Sequence, residues 1–162
     1  MMIDARVLWL WIHLIGVMLW AGGFFYLLMA LVPALGSGKA SEDRVQIIKQ
    51  ASSNFRRISW IAIILIVVSG FFNIIKRVNL AQAAREASTM PENYPLLPEG
   101  YMWILTVKIV LVLGLIIHQA FKLLEPRVLE DGSIGFKSRA TGLVTGILFL
   151  IVMLLGLVLL TL

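Results

Sequence analysis

The sequence predicts an all-α integral membrane protein, a bundle of four transmembrane helices with both termini on the outer, periplasmic side. Hydrophobic residues make up 60% of the 162 residues, and the mean hydropathy is +0.94. A soluble domain of this length has too much surface for its volume to bury so much apolar area. Lipid is therefore the expected solvent, and residues 1–162 are expected to form a single membrane domain.

Four apolar stretches come near the roughly 20 residues that a helix needs to cross the hydrocarbon core. They cover residues 7–35, 58–75, 101–124 and 140–162. Helices are required because lipid offers no partner for free backbone groups. The first stretch is far longer than the apolar region of a signal peptide, so we expect it to be a retained span.

The distribution of Lys and Arg predicts the orientation of the spans. One side of the membrane would carry nine of them, in the connections between spans one and two and between spans three and four. The other side would carry four: Arg6, Lys76, Arg77 and Arg85. The side with nine should be cytoplasmic, which puts both termini and the connection 78–100 outside.

The connections have recognisable patterns of their own. Residues 41–57 hold apolar side chains at helical spacing with basic residues between them, which predicts an amphipathic helix at the inner interface or an extension of the second span. Residues 78–88 form a polar helical stretch, after which Pro91, Pro95 and Pro98 favour extended or turn conformations. A turn is expected at Asp131–Gly132 in the inner connection.

Three ionisable residues inside the spans are the strongest functional signal: His13, Lys108 and His118. A charged side chain at the centre of a spanning helix costs about 2.5–3.5 kcal/mol on insertion scales, so such residues usually face the bundle interior and mark a site or pathway. Spans one and three run in the same direction, which puts His13 and Lys108 at nearly the same depth in the outer half. His118 should lie about 18 Å from His13 along the membrane normal, too far to share one haem iron.

Each of these residues also has a structural alternative. His13 could simply hydrogen-bond to a neighbouring helix, Lys108 could extend outward to the headgroups, and His118 could be a solvated residue of the inner interface. Gly16 and Trp20 share a stripe with Gly23, and small residues at such positions serve either close helix packing or the approach of a flat cofactor.

Further positions are expected to have structural roles. Gly142 and Gly146 form a Gly-x-x-x-Gly motif, which indicates helix packing. Trp9, Trp11 and Trp103 are expected to anchor the chain at the outer interface.

The available side chains limit the chemistry. Imidazole is a good axial ligand for haem iron and also binds copper. A lysine can ligate or act as a base only when it is neutral, and a charged Lys108 could instead pair with a porphyrin propionate. The chain has no cysteine, which excludes thiolate sites and disulfides. Its net charge of +5 comes from residues flanking the spans, so anionic lipid and not nucleic acid is the expected partner.

Three segments resemble a known family. They are Trp11-Ile12-His13-Leu14-Ile15-Gly16 with Trp20-Ala21-Gly22-Gly23, then Arg56-Arg57-Ile58 through Val68-Ser69-Gly70 to Asn73, and then Lys108-Ile109-Val110-Leu111-Val112-Leu113. They resemble the copper-resistance D family and, together with Trp103 and His118, the related four-helix bacterial protoporphyrinogen oxidases. Gly22–Gly23 and the longer outer loop depart from the oxidases and favour the copper-resistance D side.

This resemblance implies a bundle in the bacterial inner membrane that holds a b-type haem. His13 would be the axial ligand, and Lys108 the second ligand, propionate partner or catalytic group, with Gly16 and Trp20 lining the cofactor. His118 is a weaker candidate ligand. The expected function is a haem-binding redox protein that exchanges electrons with a quinone or a porphyrinogen. Copper binding or transport is one alternative, and another is an accessory subunit that associates with membrane-complex partners or with itself.

Overall fold

The computed structural model describes residues 5–36, 41–87, 97–120, 127–128, 134–135 and 139–161. The chain forms helix α1 (Ala5–Tyr26), a π-helical turn (Leu27–Leu31), α2 (Val32–Gly36), α3 (Glu42–Ala87), α4 (Tyr101–Ala120) and α5 (Arg139–Thr161). Two short strands, β1 (Arg127–Val128) and β2 (Ile134–Gly135), pair antiparallel between α4 and α5.

Four helical segments are long and apolar enough to cross a membrane: Val7–Leu35, Glu42–Ala87, Tyr101–Ala120 and Gly142–Thr161. The four predicted spans are therefore confirmed as helices. Their outward faces carry exposed large apolar side chains, such as Met18 at 69% and Ile64 at 61% exposure, which lipid would cover. The side of the membrane on which the termini lie stays a prediction.

Helix α3 extends beyond the predicted second span at both ends. Its 46 residues correspond to about 69 Å at 1.5 Å per residue, more than twice the roughly 30 Å hydrocarbon core. Of the two possibilities for residues 41–57, the structure has the extension of the span and not a separate interfacial helix. The polar helix predicted over 78–88 is confirmed as far as Ala87.

Helices α1 and α3 pack closely as an antiparallel pair. Gly16 lies so near α3 that an added Cβ would come within 2.9 Å of Ile66 Cγ1, and a Cβ on Gly23 would come within 3.0 Å of Phe55. Trp9 stacks on Phe72 near the other end, with ring centroids 4.2 Å apart. Small residues on α1 thus allow the backbones to approach, as the packing rule for membrane helices predicts.

The second helix pair, α4 and α5, joins the first through aromatic contacts. Trp20 of α1 meets Phe149 of α5 edge to face, with centroids 4.9 Å apart, and Phe24 lies 5.4 Å from the same ring. Leu115 of α4 belongs to this buried cluster as well. Gly146 contacts Phe25 and Leu28, so the packing role predicted for its motif is confirmed at that glycine.

The tryptophans predicted at the outer interface differ in their surroundings. Trp103 and Trp11 are 73% and 59% exposed, in line with interface anchors, whereas Trp9 packs against α3. Helix α4 ends at Ala120, so residues 121–124 of the predicted third span lie outside the described residues. The turn expected at Asp131–Gly132 and the prolines Pro91 and Pro95 lie outside them too.

Candidate functional site

His13 is held against α3 by two hydrogen-bonding groups. Its Nδ1 atom lies 3.1 Å from the backbone carbonyl oxygen of Ile66 and 3.1 Å from Ser69 Oγ. The carbonyl can only accept a hydrogen bond, so Nδ1 carries the proton and donates it. The ring nitrogen Nε2 is then the one with a free lone pair.

Gly70 makes room for this ring position. A Cβ at Gly70 would come within 3.3 Å of His13 Cε1 and 3.6 Å of Nδ1. The Nδ1–Cε1 edge of the imidazole therefore lies along the surface of α3, and the edge that contains Nε2 turns away from it. Any side chain at position 70 would crowd the imidazole.

Lys108 faces the bundle interior. Tyr101 and Leu115, which lie seven residues before and after it on α4, are 6% and 1% exposed. Seven residues are close to two helical turns, so all three side chains lie on one face. The Lys108 Nζ atom rests against α5, 3.1 Å from the position of a Cβ on Gly156. The alternative that Lys108 extends outward to the headgroups does not describe this conformation.

His13 and Lys108 lie at the same depth in the bundle. Trp20 contacts Phe149 across the α1–α5 boundary, and these helices are antiparallel. Seven residues outward from that contact, α1 reaches His13 and α5 reaches Gly156. Seven residues are close to two turns, so His13 lies on the same face of α1 as Trp20, and Gly156 lies on the same face of α5 as Phe149. The Lys108 amine beside Gly156 is therefore at the same depth as the His13 imidazole.

This agrees with the depth predicted from the sequence. We call His13, Ser69, Gly70, Lys108 and Gly156 the His13–Lys108 site, and it draws on all four spans.

His118 belongs to a different level. Its Nδ1 lies 3.4 Å from Thr145 Oγ1 on α5, next to Gly146, which packs against Phe25. Phe25 is twelve residues beyond His13, about 18 Å along α1. The separation of the two histidines matches the expected distance, and His118 is half-buried against α5.

Gly16 and Trp20, which were also expected to line the cofactor, have different surroundings. Gly16 packs closely against Ile66 and the Ala62 carbonyl oxygen. This contact favours a role in helix packing over a role in cofactor approach. Trp20 is 3% exposed and lies two turns inward of His13 on the same face of α1. Its indole Nε1 is buried and has no hydrogen-bond partner among the described residues.

In the sequence, Ser69 and Gly70 stand out only within the segment of span two that resembles the copper-resistance D family. Two polar or small residues within an apolar span are a detectable signal, but the partner they serve cannot be found without the α1–α3 register. Gly156 gave no signal, because a single glycine in a long apolar run usually serves packing. The Ile66 carbonyl oxygen has no sequence signature at all.

The donor set of the site is one imidazole and one amine. Within the part of the chain that the structure describes, no group of three or more His, Cys, Asp or Glu residues is placed to hold a metal ion. Comparison with protein-family models, with curated proteins and with solved structures finds no match to this chain. The resemblance to the copper-resistance D family therefore stays a hypothesis, supported by the residues quoted for it.

Proposed function

We propose that this chain is a haem-b-binding redox protein of the membrane, of the copper-resistance D or protoporphyrinogen oxidase-like type. The observation that carries the proposal is that an imidazole on α1, held against α3, and an amine on α4, held against α5, lie at one depth in the bundle. Ionisable groups in this position are costly in a membrane and are retained for function.

His13 would hold the cofactor through Nε2. Its other nitrogen donates to the Ile66 carbonyl oxygen, the arrangement in which histidine ligands are commonly oriented by a backbone or side-chain acceptor. The glycines at 70 and 156 admit the two donors themselves, because the imidazole and the amine each lie against backbone that carries no side chain. The unpartnered indole N–H of Trp20 adds one buried donor inward of them.

Lys108 would serve the same group in one of two ways. A neutral amine would be a second iron ligand, whereas a charged amine would pair with a propionate carboxylate. Both roles require an amine that faces the interior and not the headgroups, which is the conformation described above. When bound, the haem would supply one-electron redox chemistry, whose potential depends on its axial ligands.

The remaining residues of the bundle would exclude water from the site. Trp20, Phe24 and Phe149 fill the interior inward of His13, so solvent from the cytoplasmic side would not reach the donors directly. A quinone or a porphyrinogen, each soluble in or near the membrane, is the expected redox partner. The expected location is the bacterial inner membrane.

An absorption spectrum of the detergent-purified protein, with metal analysis, tests the proposal. We expect a Soret band, a pyridine haemochrome of b type and iron near one per chain. A colourless preparation from haem-replete cells would contradict the proposal. Stoichiometric copper without haem would favour a copper protein, and a colourless, metal-free chain that co-purifies with membrane partners would favour an accessory subunit.

A further inference from the structure

The hydroxyl group of Ser69 has a fixed direction. Ser69 is fully buried on α3 and donates its proton back to the carbonyl oxygen of Leu65, one turn earlier in the same helix. A second carbonyl oxygen, that of Ile66, lies 3.3 Å away. A hydroxyl has only one proton, so with that proton given to the backbone its oxygen can only accept from a further partner.

That further partner is His13 Nδ1, 3.1 Å from Ser69 Oγ. The Ile66 carbonyl oxygen, also 3.1 Å from Nδ1, is an obligate acceptor as well. Two acceptors on one ring nitrogen are satisfied only when that nitrogen is protonated. The same geometry therefore disfavours the tautomer in which Nε2 carries the proton and Nδ1 is bare.

We propose that Ser69 is a positioning residue that holds His13 as the Nδ1–H tautomer, so that the Nε2 lone pair is presented to the interior before any ligand arrives. Gly70 completes this arrangement because a Cβ there would come within 3.3 Å of Cε1 and force the ring to shift. The role of this tautomer in cofactor binding rests on the proposed function. The tautomer itself is a property of the chain alone.

The chain offers a matched control on the same helix. Ser59 is also fully buried on α3, and its Oγ has no hydrogen-bond partner within the described part of the chain. It lies ten residues from Ser69, about 15 Å along the helix. S59A therefore removes the same atom from the same helix without touching His13.

The first measurement is nitrogen NMR of the haem-free full-length protein, labelled with ¹⁵N-histidine, in detergent micelles. The chain has two histidines, and an H118Q variant assigns their signals. We expect a protonated Nδ1 and a bare Nε2 for His13. S69A should transfer a measurable part of the population to the Nε2–H form, whereas S59A and S69T, which keep the acceptor at 69, should not. Protonated Nε2 in the wild type, or an S69A spectrum equal to that of the wild type, would overturn the inference.

The second measurement is a haem titration of the same variants. Loss of a group that hydrogen-bonds to a ligating histidine typically weakens binding about 10- to 100-fold, so we expect S69A to lose about that much affinity while S59A binds like the wild type. If the wild type takes up no haem but S69A still shifts the tautomer, the proposed function fails and the positioning role stands. If haem binds and S69A changes neither tautomer nor affinity, the positioning role fails and the proposed function stands.

Discussion

The orientations of the His13 imidazole and the Lys108 amine depend on individual atoms of the neighbouring helices. The Ile66 carbonyl oxygen and Ser69 Oγ orient the His13 ring, and the bare backbone at Gly156 receives the Lys108 amine. At Gly156, an added side chain would meet the far end of a flexible side chain and not the backbone of another helix. A substitution there should therefore disturb the site without disturbing the bundle.

Gly156→Ala tests this separation of site and fold. The new Cβ would lie 3.1 Å from Lys108 Nζ, so the amine must move by some tenths of an ångström. Because alanine is favoured over glycine in helices by about 1 kcal/mol, the free energy of unfolding should stay level or rise. We expect the haem content after purification to fall several-fold.

Gly114→Ala is the control for that experiment. An added Cβ at Gly114 meets nothing within 4 Å, so the variant gains the same helix propensity without contacting the amine. Haem content in Gly114→Ala should equal that of the wild type. Equal haem content in both variants would show that the amine does not hold the cofactor.

At the scale of the elements, the position of His13 depends on how closely α1 approaches α3. The two helices approach closely at Gly16, one turn inward of His13, where an added Cβ would come within 2.9 Å of Ile66 Cγ1 and 3.1 Å of the Ala62 carbonyl oxygen. A backbone atom cannot move as a side-chain end can. Widening the pair at this point would also draw His13 away from Ser69.

Gly16→Ala should therefore destabilise the bundle. Overpacking of a close contact costs about 1–3 kcal/mol, which outweighs the gain in helix propensity. Thermal unfolding in detergent, followed by circular dichroism, would show a lower midpoint than for the wild type. Gly22→Ala, whose added Cβ meets nothing within 4 Å, should leave the midpoint unchanged or raise it. If the two variants unfolded at the same temperature, the close packing of α1 on α3 would be refuted.

At the scale of the whole molecule, the distribution of basic residues predicts the orientation in the membrane. Nine basic residues on one side and four on the other predict a cytoplasmic position for the start of α3 and an outer position for the start of α4. This orientation puts the His13–Lys108 site in the outer half of the bilayer and His118 in the inner half. It also determines from which side a redox partner would approach.

Cysteine labelling measures the orientation directly, because the chain has no cysteine of its own. Ser41 and Glu99 are exposed residues just before α3 and α4. A membrane-impermeant thiol reagent applied to intact spheroplasts should label Glu99→Cys and leave Ser41→Cys unlabelled until the membrane is opened. The reverse pattern would invert the predicted topology and place the site in the inner half.

The sequence predicted the helices and the depth of the ionisable residues because both follow from linear spacing. Long apolar runs determine the spans, and a rise of 1.5 Å per residue determines the level of His13 against Lys108. The sequence did not predict the full length of α3, because an amphipathic segment such as 41–57 can either lie on the membrane surface or continue a spanning helix.

The partners of His13 could not be predicted, because they depend on the register of two helices joined through a distant connection. Ser69 is 56 residues from His13, and no spacing rule relates them. The Ile66 carbonyl oxygen belongs to the backbone and leaves no trace in the sequence. Gly16 was open to two interpretations for the same reason, and only its contact with α3 favours packing.

The most direct test of the account is the haem-to-protein ratio of His13→Ala compared with that of His118→Ala, each purified in detergent from haem-replete cells. The two histidines lie at levels about 18 Å apart, so only His13 shares a level with Lys108. We predict that His13→Ala loses the Soret band while His118→Ala keeps a ratio close to that of the wild type. Retention of haem in His13→Ala, or its loss in His118→Ala alone, would contradict the account.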